Sequence, residues 1–244
     1  MKKRIPLWIV PACFLGLVIV LDLWSCAASL RPLEKAVKPL LLALTALTSA
    51  VFLLEKDRVE RRTVWLLMTA QLFGCAGDTL LMGSGLPYFG GGMAAFLVGH
   101  ICYLTLFGRT AWKGLPTKVW ILSVLLMLAL MAVLVVAIGV KGVLLVPMLV
   151  YGLVLMLLVF CGLCGLVRLR GAHWALILCG GLLFLFSDGL IAMRTFGLEN
   201  TPMLGFTIML TYIAAQGLLA IGACRAPSLS ESSGYSMTGR IGCP

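Results

Sequence analysis

The chain has 244 residues, 61% of them hydrophobic and 11% charged, with a mean hydropathy of +1.10. That composition excludes an ordinary water-soluble domain. The net charge of +10 is strung through short segments between apolar runs, with no interleaved aromatics in a polar module, and so excludes a nucleic-acid partner.

The basic start Lys2-Lys3-Arg4 leads into an apolar stretch from Leu7 to Leu21 that continues through Asp22-Leu23-Trp24. Its length, and the further apolar runs behind it, identify it as a first transmembrane helix and not a cleaved signal. A bilayer core of about 30 Å takes roughly 20 apolar residues per helical span. Runs at roughly 7–28, 38–54, 63–83, 90–108, 119–138, 142–167, 173–193 and 203–224 meet that need. The expected fold is all-α: a polytopic integral membrane protein with eight transmembrane helices in residues 1–224. Residues 225–244 are Ser-rich, cannot bury enough apolar surface to order themselves, and are expected to form a disordered cytoplasmic tail.

Eight spans put both termini on one side. With the N-terminus cytoplasmic, the inside carries Lys2, Lys3, Arg4, Lys56, Arg58, Arg61, Arg62, Arg109, Lys113, Lys118, Arg168, Arg170, Arg225 and Arg240, and the outside Arg31, Lys35, Lys38, Lys141 and Arg194. This asymmetry obeys the positive-inside rule and places both termini in the cytoplasm, at the plasma membrane if the source is bacterial. The third and seventh runs share a pattern, Gly77-Asp78-Thr79-Leu80-Leu81-Met82 against Ser187-Asp188-Gly189-Leu190-Ile191-Ala192-Met193. It suggests a four-plus-four repeat whose halves share one orientation.

Eight of the nine cysteines lie in or beside apolar spans and read as small buried thiols. Cys161-Gly-Leu-Cys164 has redox or metal spacing, but it lies in an apolar run with no second pair.

Ionisable groups inside the spans are the informative residues, because each costs about 2.5–3.5 kcal/mol at the centre of a membrane helix. Asp22 stands near the outer end of its helix beside Trp24, where snorkelling to the interface explains it. Asp78 and Asp188 each follow about fifteen residues of ascending helix, or roughly 22 Å, which sets them at one depth. They form either a functional pair or two structural acids bonded to neighbouring Ser, Thr or Gln. On the fourth run Phe96, His100 and Tyr103 share one face, and Gly92 and Gly99 permit close backbone approach. His100 reads as a packing residue or a catalytic one. Tyr212 and Gln216 on the eighth run overlap it in depth, with the same alternatives. Lys38, immediately before Pro39, opens the second run as an interfacial lysine or as an ammonium at phosphate level above the acids.

Other chemistries lack their residues. The two histidines, His100 and His173, form no HExxH motif, so a zinc site is not expected. No GxSxG nucleophile elbow or phosphate-cradling glycine motif is present. No metal or cofactor is expected.

Taken in order, Lys38-Pro39-Leu40, Gly77-Asp78, Tyr88-Phe89, Phe96, Gly99-His100, Tyr103, Phe184, Ser187-Asp188, Ile191-Ala192, Tyr212 and Ala215-Gln216 resemble the YhhN-like membrane proteins, a family that includes the lysoplasmalogenases. The resemblance covers nearly all of the hydrophobic chain and leaves out the Ser-rich tail. It implies hydrolysis of the vinyl ether of a lysoplasmalogen, a lysophospholipid, to a fatty aldehyde and a glycerophospho-ethanolamine or glycerophospho-choline. On that reading Asp78 and Asp188 are the acid–base pair, and Lys38, His100, Tyr103, Tyr212 and Gln216 bind or orient the substrate. Two carboxyls suit the reaction, because protonation of the β-carbon gives an oxocarbenium ion that water then captures. One carboxyl must be neutral and the other charged, as in dyads held apart from water. The alternative, from another class, is a proton-coupled small-molecule transporter using the same aspartates as a relay.

Overall fold

The structure, a computed structural model, describes residues 6–56, 59–139 and 142–226. Eight α-helices run in sequence: α1 (Ile9–Ala27), α2 (Arg31–Glu55), α3 (Arg61–Leu81), α4 (Leu86–Ala111), α5 (Thr117–Ile138), α6 (Leu145–Leu169), α7 (Ala172–Phe196) and α8 (Pro202–Arg225). All eight are long and apolar enough to cross a bilayer, and the described residues contain no strand. The protein is therefore a multi-pass, all-α integral membrane protein. The expected tail, and the basic residues Lys2, Lys3, Arg4, Arg58, Lys141 and Arg240, lie outside the described residues.

Several helices outrun their apolar runs, and one difference changes a residue's place. Lys38 does not open α2; the helix begins at Arg31, so Lys38 and Pro39 lie about two turns inside it. Arg31, Glu34 and Lys35 lower the hydropathy of those two turns, yet they carry good start signals. Pro32 fits the first turn, where its missing N–H costs nothing, and Glu34 faces the positive end of the helix dipole. At the other extreme, α7 continues two turns past Asp188 through Arg194 to Phe196.

Sequential helices pack as antiparallel neighbours along α1–α2–α3–α4, and α6, α7 and α8 follow the same rule. Cross-packing of α4 on α6 and of α8 on α1, α2 and α3 closes the bundle. Small residues set the closest crossings, the usual solution where lipid removes any hydrophobic drive for helices to associate. A Cβ on Gly99 would sit 2.9 Å from the carbonyl oxygen of Ala70, and one on Gly162 would sit 2.7 Å from the Cα of Leu178. The expected role of Gly99 in close approach is thus met, between α3 and α4. Helix α5 packs lightly, on α6 and α7, and presents Leu122, Leu125, Leu126 and Val133 outward as lipid-facing surface.

The two ends of the bundle differ. At the end holding the α2–α3, α4–α5 and α6–α7 connections, the Arg168 guanidinium donates to the carbonyl oxygens of Ala111 and Lys113, each at 2.9 Å, capping the C-terminus of α4. There too the Lys56 ammonium donates to the Cys224 carbonyl oxygen at 3.2 Å, near the end of α8. The opposite end, with the α1–α2, α3–α4 and α7–α8 loops, is where the site lies. The positive-inside rule leads us to expect the braced end in the cytoplasm, and reporter fusions at Gly85 and after Arg225 should accordingly label opposite sides of the membrane, with the Arg225 fusion inside. Labelling on one side would refute eight spans.

Candidate active site

Asp78 lies one turn from the end of α3 and is 3% exposed. The Tyr212 hydroxyl, on α8, donates to its Oδ2 at 2.7 Å. Asp188 on α7 is partly buried, and its Oδ2 accepts a hydrogen bond from the Tyr151 hydroxyl of α6. Each acid is thus anchored through one oxygen by one tyrosine from a different helix. Both line one cavity of about 560 Å³, together with Lys38.

That cavity is a vestibule. Its wall carries Arg31, Lys35 and Lys38 from α2, Arg194 from α7, and a single outer acid, Glu34, with Ser29, Ser84, Asn200 and Thr201 around the rim. The described basic residues on this side of the bundle, of which the sequence pattern singled out only Lys38 for the site, converge here because α2 and α7 both extend beyond their apolar runs. A second cavity of about 460 Å³ lies against the outer halves of α4, α5, α6 and α7 and is almost entirely apolar, with Met93, Met131, Leu134, Leu155, Leu182 and Phe186 among its walls. The vestibule and this groove share Leu81, Phe96, Asp188 and Ile191. Asp188 therefore stands at the boundary between a basic, polar space and a hydrocarbon-like one.

An aromatic cluster underlies the acids. Phe184 sits one turn inward from Asp188, and its ring meets those of Tyr212, Phe96 and His100 edge to face, with centroids 5.5, 6.1 and 4.3 Å away. His100 is 2% exposed; its Nδ1 lies 2.7 Å from the Phe96 carbonyl oxygen, to which it donates as the Nδ1–H tautomer, while Nε2 has no protein partner. Its ring also packs edge-on against Tyr151, the donor to Asp188, at 5.7 Å.

The seven candidate residues separate in space. Asp78, Asp188, Lys38 and Tyr212 share the vestibule. His100 touches the tyrosine that holds Asp188 and bonds to neither carboxylate. Tyr103 and Gln216 lie deeper and bond to each other, hydroxyl to Oε1 at 3.1 Å, away from the acids. Tyr151 is the residue sequence reasoning missed. The available signal was a lone tyrosine in the apolar run of α6, and no spacing rule joins it to a residue 37 positions later.

Asp22 overturns its expected role. It does not snorkel: its relative exposure is 0%, and neither carboxylate oxygen has a hydrogen-bond partner. Helix α1 packs against α2 and α8, which turns this acid inward, away from the interface.

No group of three His, Cys, Asp or Glu side chains that could hold a metal ion occurs among the described residues.

The chain is 33% identical over 165 residues to lysoplasmalogenase TMEM86B of Rattus norvegicus, covering 68% of this chain and 64% of that protein. It is 32% identical over 167 residues to the protein of the same name from Mus musculus, covering 68% and 67%, and 32% identical over 162 residues to that from Homo sapiens, covering 66% and 65%. The matched segment thus spans about two thirds of the length of these relatives. No solved structure matches the chain. The YhhN family model matches residues 30–223, from the loop before α2 almost to the end of α8, and takes in both anchored acids and both tyrosines: the chain belongs to the YhhN family.

Proposed function

We propose that the protein is a membrane-embedded hydrolase that cleaves the vinyl ether bond of a lysoplasmalogen, with Asp78 and Asp188 as its acid–base pair. The observation that carries this reading is that both acids line a basic vestibule and that Asp188 also lines the apolar groove that adjoins it. A lysoplasmalogen has the same order of parts: a phosphate head, a short glycerol, the vinyl ether, then a single hydrocarbon chain. With the phosphate among Lys38, Arg31, Lys35 and Arg194 and the chain in the groove, the vinyl ether falls beside the carboxyls. The relatives named lysoplasmalogenase support the same substrate class.

The chemistry needs one neutral and one charged carboxyl. The neutral acid delivers its proton to the β-carbon of the vinyl ether, and the ether oxygen stabilises the resulting oxocarbenium ion. The carboxylate takes a proton from water as that water bonds to the cationic carbon. The hemiacetal so formed breaks its bond to the glycerol oxygen, releasing aldehyde and alcohol, and the dyad is left with its proton on the other acid. The tyrosine bonds leave one oxygen of each acid free for this work and hold both carboxyls still. His100 is a support for the Tyr151 side of the dyad, and the Tyr103–Gln216 pair fixes the helices below it.

Asn substitution tests the pair, since it preserves shape while removing proton donation and charge. Asp78→Asn and Asp188→Asn should each lower kcat by about 10² to 10⁴-fold in detergent, without any gradient, and the double variant should lose little more. Chelators should leave the wild-type rate unchanged. Near-normal turnover by both folded Asn variants would sink the dyad and favour the transporter reading.

Two further substitutions test how the substrate lies. Lys38→Met should raise KM more than it lowers kcat, because a point charge on the phosphate binds ground and transition states alike; an unchanged KM removes Lys38 from the site. In the groove, a side chain at Gly152 would run into the flexible end of Met131. Gly152→Phe should therefore shift preference toward shorter chains, cutting kcat/KM for long-chain substrates by about tenfold, or roughly 1.4 kcal/mol, and an unaltered chain-length profile would place the chain elsewhere.

A further inference from the structure

Asp22 is a buried acid that the dyad does not use, on a helix outside the family match. That match begins at residue 30, after the end of α1. The neighbouring side chains say what surrounds it. Ser25, one turn on, is also fully buried and spends its hydroxyl on the Asp22 backbone carbonyl at 2.7 Å, not on the carboxylate. Cys26, four residues on and on the same face, lines the vestibule. The Asp22 carboxylate thus lies just below the vestibule, against α2. Its charged neighbours there are Lys38 and Glu34, and the charge of Lys38 also reaches Asp78. Lys38 lines the vestibule together with Cys26 and Asp78, and it is hydrogen-bonded to neither Asp22 nor Asp78. Helix α8, also packed on α1, brings no cation to this face; its Arg225 is at the braced end.

We propose that Asp22 is a positioning residue: its carboxylate is the buried counter-charge that keeps the Lys38 ammonium low in the vestibule, with its N–H donors free for a lysolipid phosphate and not collapsed onto Asp78. A full charge withdrawn from water persists when an opposite charge accompanies it, and Lys38, on the helix packed against α1, is the cation whose charge reaches Asp22. Since Glu34 stands one turn outward at the mouth of the vestibule, the buried acid left within reach of Lys38 without Asp22 is Asp78. A cation drawn to it both leaves the phosphate and fixes the charge on one member of the dyad. This assignment rests on the lysolipid-hydrolase reading of the site.

The experiment separates binding from turnover. Binding is measured with a saturated 1-O-alkyl lysophospholipid, which has the head, glycerol and chain of the substrate but no vinyl group to protonate. Turnover is measured with the vinyl ether. Asp22→Asn should weaken binding of the alkyl ether and raise KM by about tenfold, with a smaller fall in kcat. Asp22→Glu, which keeps the charge, should recover part of the loss. Asp22→Asn combined with Lys38→Met should bind no worse than Lys38→Met alone, because the first substitution acts only through the second residue. Binding by Asp22→Asn equal to wild type, or losses that multiply in the double variant, would overturn the assignment.

Thermal unfolding in detergent gives a second reading if Asp22→Asn alone does not survive extraction. Lys38→Met strands the buried carboxylate, whereas the double variant removes both charges, so the double variant should have the higher Tm. A lower Tm would also overturn the assignment. Wild-type protein that binds the alkyl ether but turns over no vinyl ether would defeat the hydrolase reading while leaving Asp22 its role in holding Lys38.

Discussion

A carboxyl group inside a bilayer must be given company, and the arrangement of this bundle follows from how three such groups are accommodated. Asp78 and Asp188 receive one tyrosine hydroxyl each, from α8 and α6, and these bonds link helices far apart in sequence. To deliver those hydroxyls, α3 must meet α8 and α6 must lie tight against α7. The second contact is close because Gly162 has no side chain to hold the backbones apart. The Asp22 carboxylate receives no hydrogen bond from the protein and is enclosed where α1 packs on α2 and α8. The solvation of three acids therefore ties together α1, α2, α3, α6, α7 and α8.

The polar and apolar cavities extend the same logic outward. A hydrophobic groove in a membrane protein is unremarkable by itself, since lipid can fill it. Its continuity with a basic vestibule through Asp188 makes it one half of an amphipathic space, matched to a molecule with a charged head and a single chain. The light packing of α5, whose buried side chains Met127 and Met131 are both flexible methionines, gives that space a yielding outer wall.

The sequence revealed the helices, because each apolar run is long enough to be unambiguous, and it singled out Asp78 and Asp188, because charge is rare in such runs. It erred where charge and helix coincide. The first turns of α2 look like a loop by hydropathy, yet Pro32 and Glu34 start the helix there, so Lys38 lies two turns inside it. Asp22 was misread for a related reason: Trp24 nearby suggested an interface, but which face of α1 turns inward is decided by α2 and α8. Tyr103 and Gln216, expected to bind or orient substrate, bond to each other and not to the acids, since the depth of a residue along its helix says nothing about where its side chain points. Tyr151 could be found only with the fold in hand.

The ring layer beneath the acids has an electrical consequence. Phe96, Phe184 and the His100 ring lie between the carboxyls and the deeper polar groups, where Tyr103 bonds Gln216 and Gln71 donates to Ser49 at 3.4 Å. Tyr212 crosses that layer: its hydroxyl donates to Asp78, and Gln216, one turn deeper on α8, accepts from Tyr103. Rings back the Tyr151 side of the dyad, whereas polar side chains continue inward from Asp78 along one face of α8, so the two acids sit in electrically unequal surroundings.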